Sequence, residues 1–224
     1  MQKIQQIFIG CPFLPAIRKN YDRLKQELED ETPLHLILAD TVAVSSTDYL
    51  LEHITTLIRE SAACLFDATG GNPNVSLEVG VAHALPAEFL ISLYTRKPRQ
   101  QKIAEATLAK EGELKPIISD LQGRNRIEYK AYAGLKEQLT DRFLRRLPYM
   151  ARWLEFKNRN ASMVPHALRI FQDLRSSGRS VRPRVISALD GTGILADDLL
   201  GVLSDAKLLV VKRGRAGGIY YPVK

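Results

Sequence analysis

LFDATGGNPNVSLEVGVAHAL, residues 65–85, is the stretch whose reading decides the fold. A short apolar run ends in Asp67, a Gly/Asn/Pro turn follows, and a helix of small residues carries Glu78 in its first turns. Buried strand, tight loop and helix start is how open α/β sheets build ligand sites, because the crevice lies beyond the carboxyl ends of the strands. Glycines let the backbone approach a ligand, and free N–H groups at a helix start favour anions. Glu78 is therefore the candidate reactive group. Its plainer reading is a charge that caps the helix N-terminus.

The same alternation extends on both sides. QIFIG (6–10), LHLILAD (34–40), ACLFDA (63–68) and EFLISLYT (88–95) read as strands, and RIEYKAY (126–132) as an edge strand. Between them the helix over 15–30 repeats Ile17, Tyr21, Leu24 and Leu28 at three- and four-residue steps. The helix over 48–62 presents Leu51, Ile54, Leu57 and Ile58, and that over 75–85 stops at Pro86. Alternating strands and helices predict a parallel sheet, and continuous rather than alternating apolar strands predict that both its faces are covered. This is a three-layer α/β domain of flavodoxin/Rossmann-like class over residues 1–133. Residues 134–160 read as a helical connector broken near Pro148, and 96–116 as a charged surface segment near the site mouth.

From Ser162 the character changes. Helices over 162–178, 181–193 and 194–206, then two β-rich runs around a Gly/Arg turn, give three helices and a hairpin over 161–224. That layout resembles a winged helix. The protein's net charge of +7 is concentrated there: residues 158–224 hold 11 Lys and Arg against 5 Asp and Glu, the first 157 hold 21 against 20. Arg175, Arg179, Arg182 and Arg184, with Lys212, Arg213 and Arg215 in the wing, could hold phosphates. The third helix carries Asp197, Asp198 and Asp205 and no basic residue, which argues against base reading through it. Nucleic acid or a regulating protein is the expected partner of this part.

The pattern Asp67, Asn72-Pro73-Asn74-Val75, Glu78, Gly80, Ala82 resembles nucleoside 2-deoxyribosyltransferases and the related TIR-like nucleotide-binding domains. IFIGCPF (7–13) resembles the first strand and ligand loop of that superfamily, and the likeness covers about the first 130 residues. It implies that Glu78 attacks the anomeric carbon of a nucleoside, or serves cleavage of the nicotinamide–ribose bond of NAD. Asp67 would bond ribose hydroxyls or orient Glu78. Gly10, Cys11 and Pro12 would contact base or phosphate, and Asn72 and Asn74 the sugar. Relatives with a similar C-terminal pairing include effectors of anti-phage defence.

Each residue also has a plainer reading. Asp67 is a good turn former, Asn72-Pro73-Asn74 a rigid turn, and His83 a helix surface residue. Ser45 and Ser46 read first as loop and cap residues and only second as ligand contacts. In place of the small polar turn usual after the family's motif helix stands Pro86-Ala87-Glu88.

Cys11 and Cys64 form no disulfide framework and no metal-ligand spacing; Cys64 reads as core and Cys11 as a loop thiol. No apolar run approaches the ~20 residues that span a bilayer, and the start lacks a signal-peptide layout, so the expected setting is cytoplasmic. The expectation is an N-glycosidase or transferase with a nucleotide or nucleoside as substrate, no separate cofactor, no metal and a homo-oligomeric state. The alternatives are an inactive nucleotide sensor coupled to the C-terminal part, and an interaction protein whose α/β part only oligomerises.

Overall fold

The computed structural model describes residues 2–39, 47–95, 126–212 and 217–222. Five parallel strands form one sheet: β1 (Lys3–Gly10), β2 (His35–Leu38), β3 (Ser61–Asp67), β4 (Phe89–Tyr94) and β5 (Arg126–Tyr129), in the order β2-β1-β3-β4-β5. This is the flavodoxin-type order, in which the direction of winding reverses between β1 and β3. The expected edge strand, β5, is at the edge.

Helices cover both faces. Side chains alternate along each strand, so Ile7 and Ile9 of β1 point one way and Phe8 the other. Ile7, Ile9, Ala63 and Leu65 meet α1 (Pro15–Glu31). There the four expected positions Ile17, Tyr21, Leu24 and Leu28 are all buried, and α4 (Tyr132–Arg142) adds Leu135 and Leu139 to the same layer. Phe8, Cys64, Phe66 and Ile91 meet α2 (Thr47–Glu60) and α3 (Pro73–Ala84) on the opposite face.

One expectation for α2 fails: Leu51 is 47% exposed, whereas Leu57 and Ile58 are buried and Ile54 is half-buried. Burial grows toward the helix end that feeds β3. The start of α3 also differs, by two residues, because Asn72 caps it and Pro73 takes the first helical position, where a missing N–H costs nothing.

The stretch expected to connect is itself core. α5 (Pro148–Arg159) starts at the expected break and buries Trp153 stacked on Phe156. Trp153 meets Phe171 of α6 (Val164–Ser177) edge-on, and Phe171 stacks on Tyr221. One continuous apolar cluster runs from the sheet through α5 and α6 to α7 (Arg182–Leu189) and α8 (Ala196–Asp205). The three helices and the hairpin β7 (Val210–Lys212) and β8 (Gly218–Tyr220) are present as expected, and Gly178 ends α6 in the left-handed conformation (φ 70°). The two-residue strand β6 (Ser180–Val181), before α7, is too short to show as a pattern; it pairs with β8 to give a small antiparallel sheet with β7 at one edge. No described helix is long and apolar enough to cross a membrane.

Candidate functional site

α3 presents Val75, Glu78, Val79 and Ala82 to the sheet, the i, i+3, i+4, i+7 stripe of a buried helical face. Glu78 is the charged member of that apolar stripe. It is 7% exposed, and its Oε2 is buried with no hydrogen-bond partner among the described residues. A carboxylate so placed is costly unless it has work to do. Desolvation pushes its pKa up to about 7.

The carboxylate lies against Gly10, the last residue of β1. A Cβ on Gly10 would come within 1.9 Å of Glu78 Oε2 and 2.9 Å of the Phe66 ring, so a larger residue there would displace the carboxylate from this position. Gly10 is the register partner of Phe66 on β3. Glu78 therefore sits over the carboxyl ends of β1 and β3, at the point where the strand order reverses. Its floor is apolar: Phe66 packs on Phe8 and Phe89, and burial, helped by the charge of Glu78, raises the Cys64 thiol to about 12. That thiol is inert core. Val79 is buried beside Glu78 and Val81 is half-buried.

Asp67 ends the neighbouring strand but shares the parity of Ala63 and Leu65, so it points to the α1 face. It is fully buried. Oδ2 accepts from the hydroxyls of Tyr21 (2.8 Å) and Tyr129 (2.6 Å), and Oδ1 accepts from the Thr69 backbone N–H (2.9 Å). Ser92 Oγ lies 2.6 Å from the Tyr21 hydroxyl. Burial, then the Asp67 charge, holds both tyrosines well above their ordinary pKa. The sheet separates this cluster from Glu78, so the expected direct orienting contact does not form. The turn-forming reading does hold, through Thr69 N–H. Thr69 Oγ1 in turn accepts from Tyr94 N–H (2.7 Å), which fastens the loop to β4.

Gly70 and Gly71 take φ of 73° and 62°, the left-handed region where glycine is favoured, so the turn itself demands them. Asn72 Oδ1 accepts from the N–H groups of Asn74 (2.9 Å) and Val75 (3.3 Å). Two corrections follow. The start of α3 is satisfied internally and offers no free N–H pair to an anion. Glu78, six residues in, is not the cap. Asn74 is exposed, Asn72 and Cys11 are half-buried, Pro12 is buried and His83 is exposed. Ser45 lies outside the described residues, as does the charged segment 96–116.

In the basic part, Arg179 is exposed. Arg182 pairs with Asp197, its Nε donating at 3.0 Å, and Arg184 lies 3.8 Å from Asp173. Arg175 is engaged elsewhere: its guanidinium donates to the carbonyls of Glu29 (2.6 Å), Thr32 and Leu34 (both 3.3 Å), between α1 and β2. It is therefore a structural clamp rather than a phosphate contact. Lys212 is exposed, 5.1 Å from the centre of the Tyr220 ring. Arg213 and Arg215 lie outside the described residues. No group of three or more His, Cys, Asp or Glu suited to a metal occurs among the described residues.

No protein-family profile and no curated protein sequence matches the chain. Among solved structures, a "2-desoxiribosyltransferase from Leishmania mexicana" is similar over 45% of this chain and 71% of its own, with 17% sequence identity and a TM-score of 0.37.

Proposed function

We propose that the chain cleaves or transfers an N-glycosidic bond of a nucleoside or nucleotide, with Glu78 as the reactive carboxylate. The observation that carries this reading is a buried carboxylate, unpartnered at Oε2, fitted against Gly10 at the switch point of the sheet. In such a reaction one Glu78 oxygen bonds to C1′ as the C1′–N bond breaks and its electron pair leaves on the base. Water or a second base then displaces Glu78 from the sugar. Positive charge develops at C1′ in both steps, and an unsolvated carboxylate stabilises it. The apolar floor of Phe66 and Val79 supports the same chemistry by excluding water. Deoxynucleosides and NAD both belong to this substrate class.

Base release from NAD, NADP and a panel of ribo- and deoxynucleosides, followed by chromatography, tests the proposal. Activity falls roughly a hundredfold or more in Glu78→Gln, with the fold kept. Gly10→Ala, which crowds the carboxylate, also loses it. A rate unchanged in Glu78→Gln sinks the reading.

A second reading, a nucleotide sensor without turnover, is favoured by the continuous core that joins the sheet to the C-terminal helices. It requires a nucleotide to raise the melting temperature with no base released, a ligand at 100 times its Kd adding about 2.7 kcal/mol. In either reading the winged-helix-like part serves as the docking or regulatory unit.

A further inference from the structure

Two clefts flank β7, and their charge differs. The cleft on the α7/α8 side, about 600 Å³, is lined by Arg182, Asp197, Asp205 and Lys212 among its charged residues. Acids offset the bases there, and Arg182 is bound to Asp197. The cleft on the α5 side, about 720 Å³, is lined by Arg152, Lys207 and Lys212, with no acidic side chain among its described lining residues. The three cations come from α5, from the turn after α8 and from β7. None has an ion pair among the described residues.

Lys207 adds a second observation. It follows the last turn of α8 at φ 55°, where glycine is the usual occupant, and its neighbour Leu208 closes the turn onto the Leu203 carbonyl. A lysine is held there in a conformation that disfavours any side chain. Apart from Ser204 and the tyrosine hydroxyls the rest of the wall is apolar, with Val210, the Tyr220 ring and Pro222 on it. The size lies within the range of small-ligand sites.

We propose that this cleft binds a nucleotide phosphate, with the two ammonium groups and the guanidinium on the phosphate and the Tyr220–Pro222 wall beside the base. Lysines hold phosphate as point charges, and a guanidinium can fork onto two phosphate oxygens. The site is separate from Glu78 and independent of the reading given to it. The nucleotide is either free or part of a nucleic-acid strand.

The test uses the full chain with two probes: ATP by calorimetry, and a fluorescein-labelled single-stranded dodecadeoxynucleotide by anisotropy. At least one binds the wild type. Affinity falls about tenfold or more in Arg152→Gln/Lys207→Gly/Lys212→Gln, and the salt slope for the strand drops by about 1 per cation removed. Lys207→Gly suits the local backbone, and an unchanged melting temperature confirms that the fold is kept. Arg182→Gln, on the other cleft, changes affinity less than twofold. Binding of ATP alone identifies a free nucleotide, and binding of the strand identifies nucleic acid. The proposal is overturned if neither probe binds, if both variant sets weaken binding alike, or if polyglutamate binds as tightly as the better probe.

Discussion

Glu78 sets two demands against each other. Burial lifts its pKa from 4.5 to about 7, so the folded state holds its proton more tightly than the unfolded chain does. A carboxyl group raised in this way favours folding fully below about pH 4.5. That contribution drains away as pH climbs toward 7 and is gone above it. The ionised form that would attack C1′ is the one that destabilises the fold. Glu78→Gln should therefore gain stability over the wild type as pH rises, by about 3 kcal/mol between pH 4 and pH 8. Urea unfolding of both proteins at the two pH values measures the difference. A gap that stays constant would mean that Glu78 is better solvated than its position at Gly10 implies. Turnover, if it uses the anion, should rise through the same window in which stability falls.

At the scale of elements, the loop from β3 to α3 is held from beneath by Asp67. That carboxylate gathers Tyr21 from α1, Tyr129 from β5 and the Thr69 backbone. Asp67→Ala takes the acceptor from the buried Tyr129 hydroxyl and the Thr69 N–H and leaves Tyr21 only Ser92, and should cost about 3 kcal/mol. Tyr129→Phe removes one donor and should cost about 1 kcal/mol. Thermal or denaturant unfolding checks both, and equal costs would show that Asp67 is not the hub. How far these elements could be read from the chain follows from the range of the forces involved. The stripes of α1 and the apolar run of β3 depend on neighbours within a turn or two, and they stood out. The burial of Glu78 did not stand out, although Val75, Val79 and Ala82 flank it at helical spacing, because the cap reading competed with it. The contact of Gly10 with Glu78 was not legible, because no local pattern specifies which strand end a helix will cover. Nor was the face chosen by Asp67. Its partners lie 46 and 62 residues away, and only the strand order places them beneath it. The pairing of Arg182 with Asp197 was likewise hidden by the folding of α7 onto α8.

For the whole molecule, the continuous core argues against units that melt apart. Trp153, the chain's one tryptophan, lies fully buried where α5 meets α6, and Arg175 clamps α6 to the end of α1. Denaturant unfolding followed by Trp153 fluorescence and by far-ultraviolet circular dichroism should give one shared transition. Arg175→Ala should move that transition to lower denaturant by about 2 kcal/mol without splitting it. Two separated transitions would show that the sheet and the C-terminal helices are independent bodies. The sheet itself divides the motif that first marked this chain. Asp67 belongs to the scaffold beneath, while Glu78 and Gly10 meet on the opposite face, where the proposed chemistry would lie. A descendant of this sequence could surrender Glu78, fill the space at Gly10 with a methyl group and still fold on Asp67. In any such descendant Asp67 would testify only to architecture. The pairing of a glycine at 10 with a glutamate at 78 would be the mark of a working site.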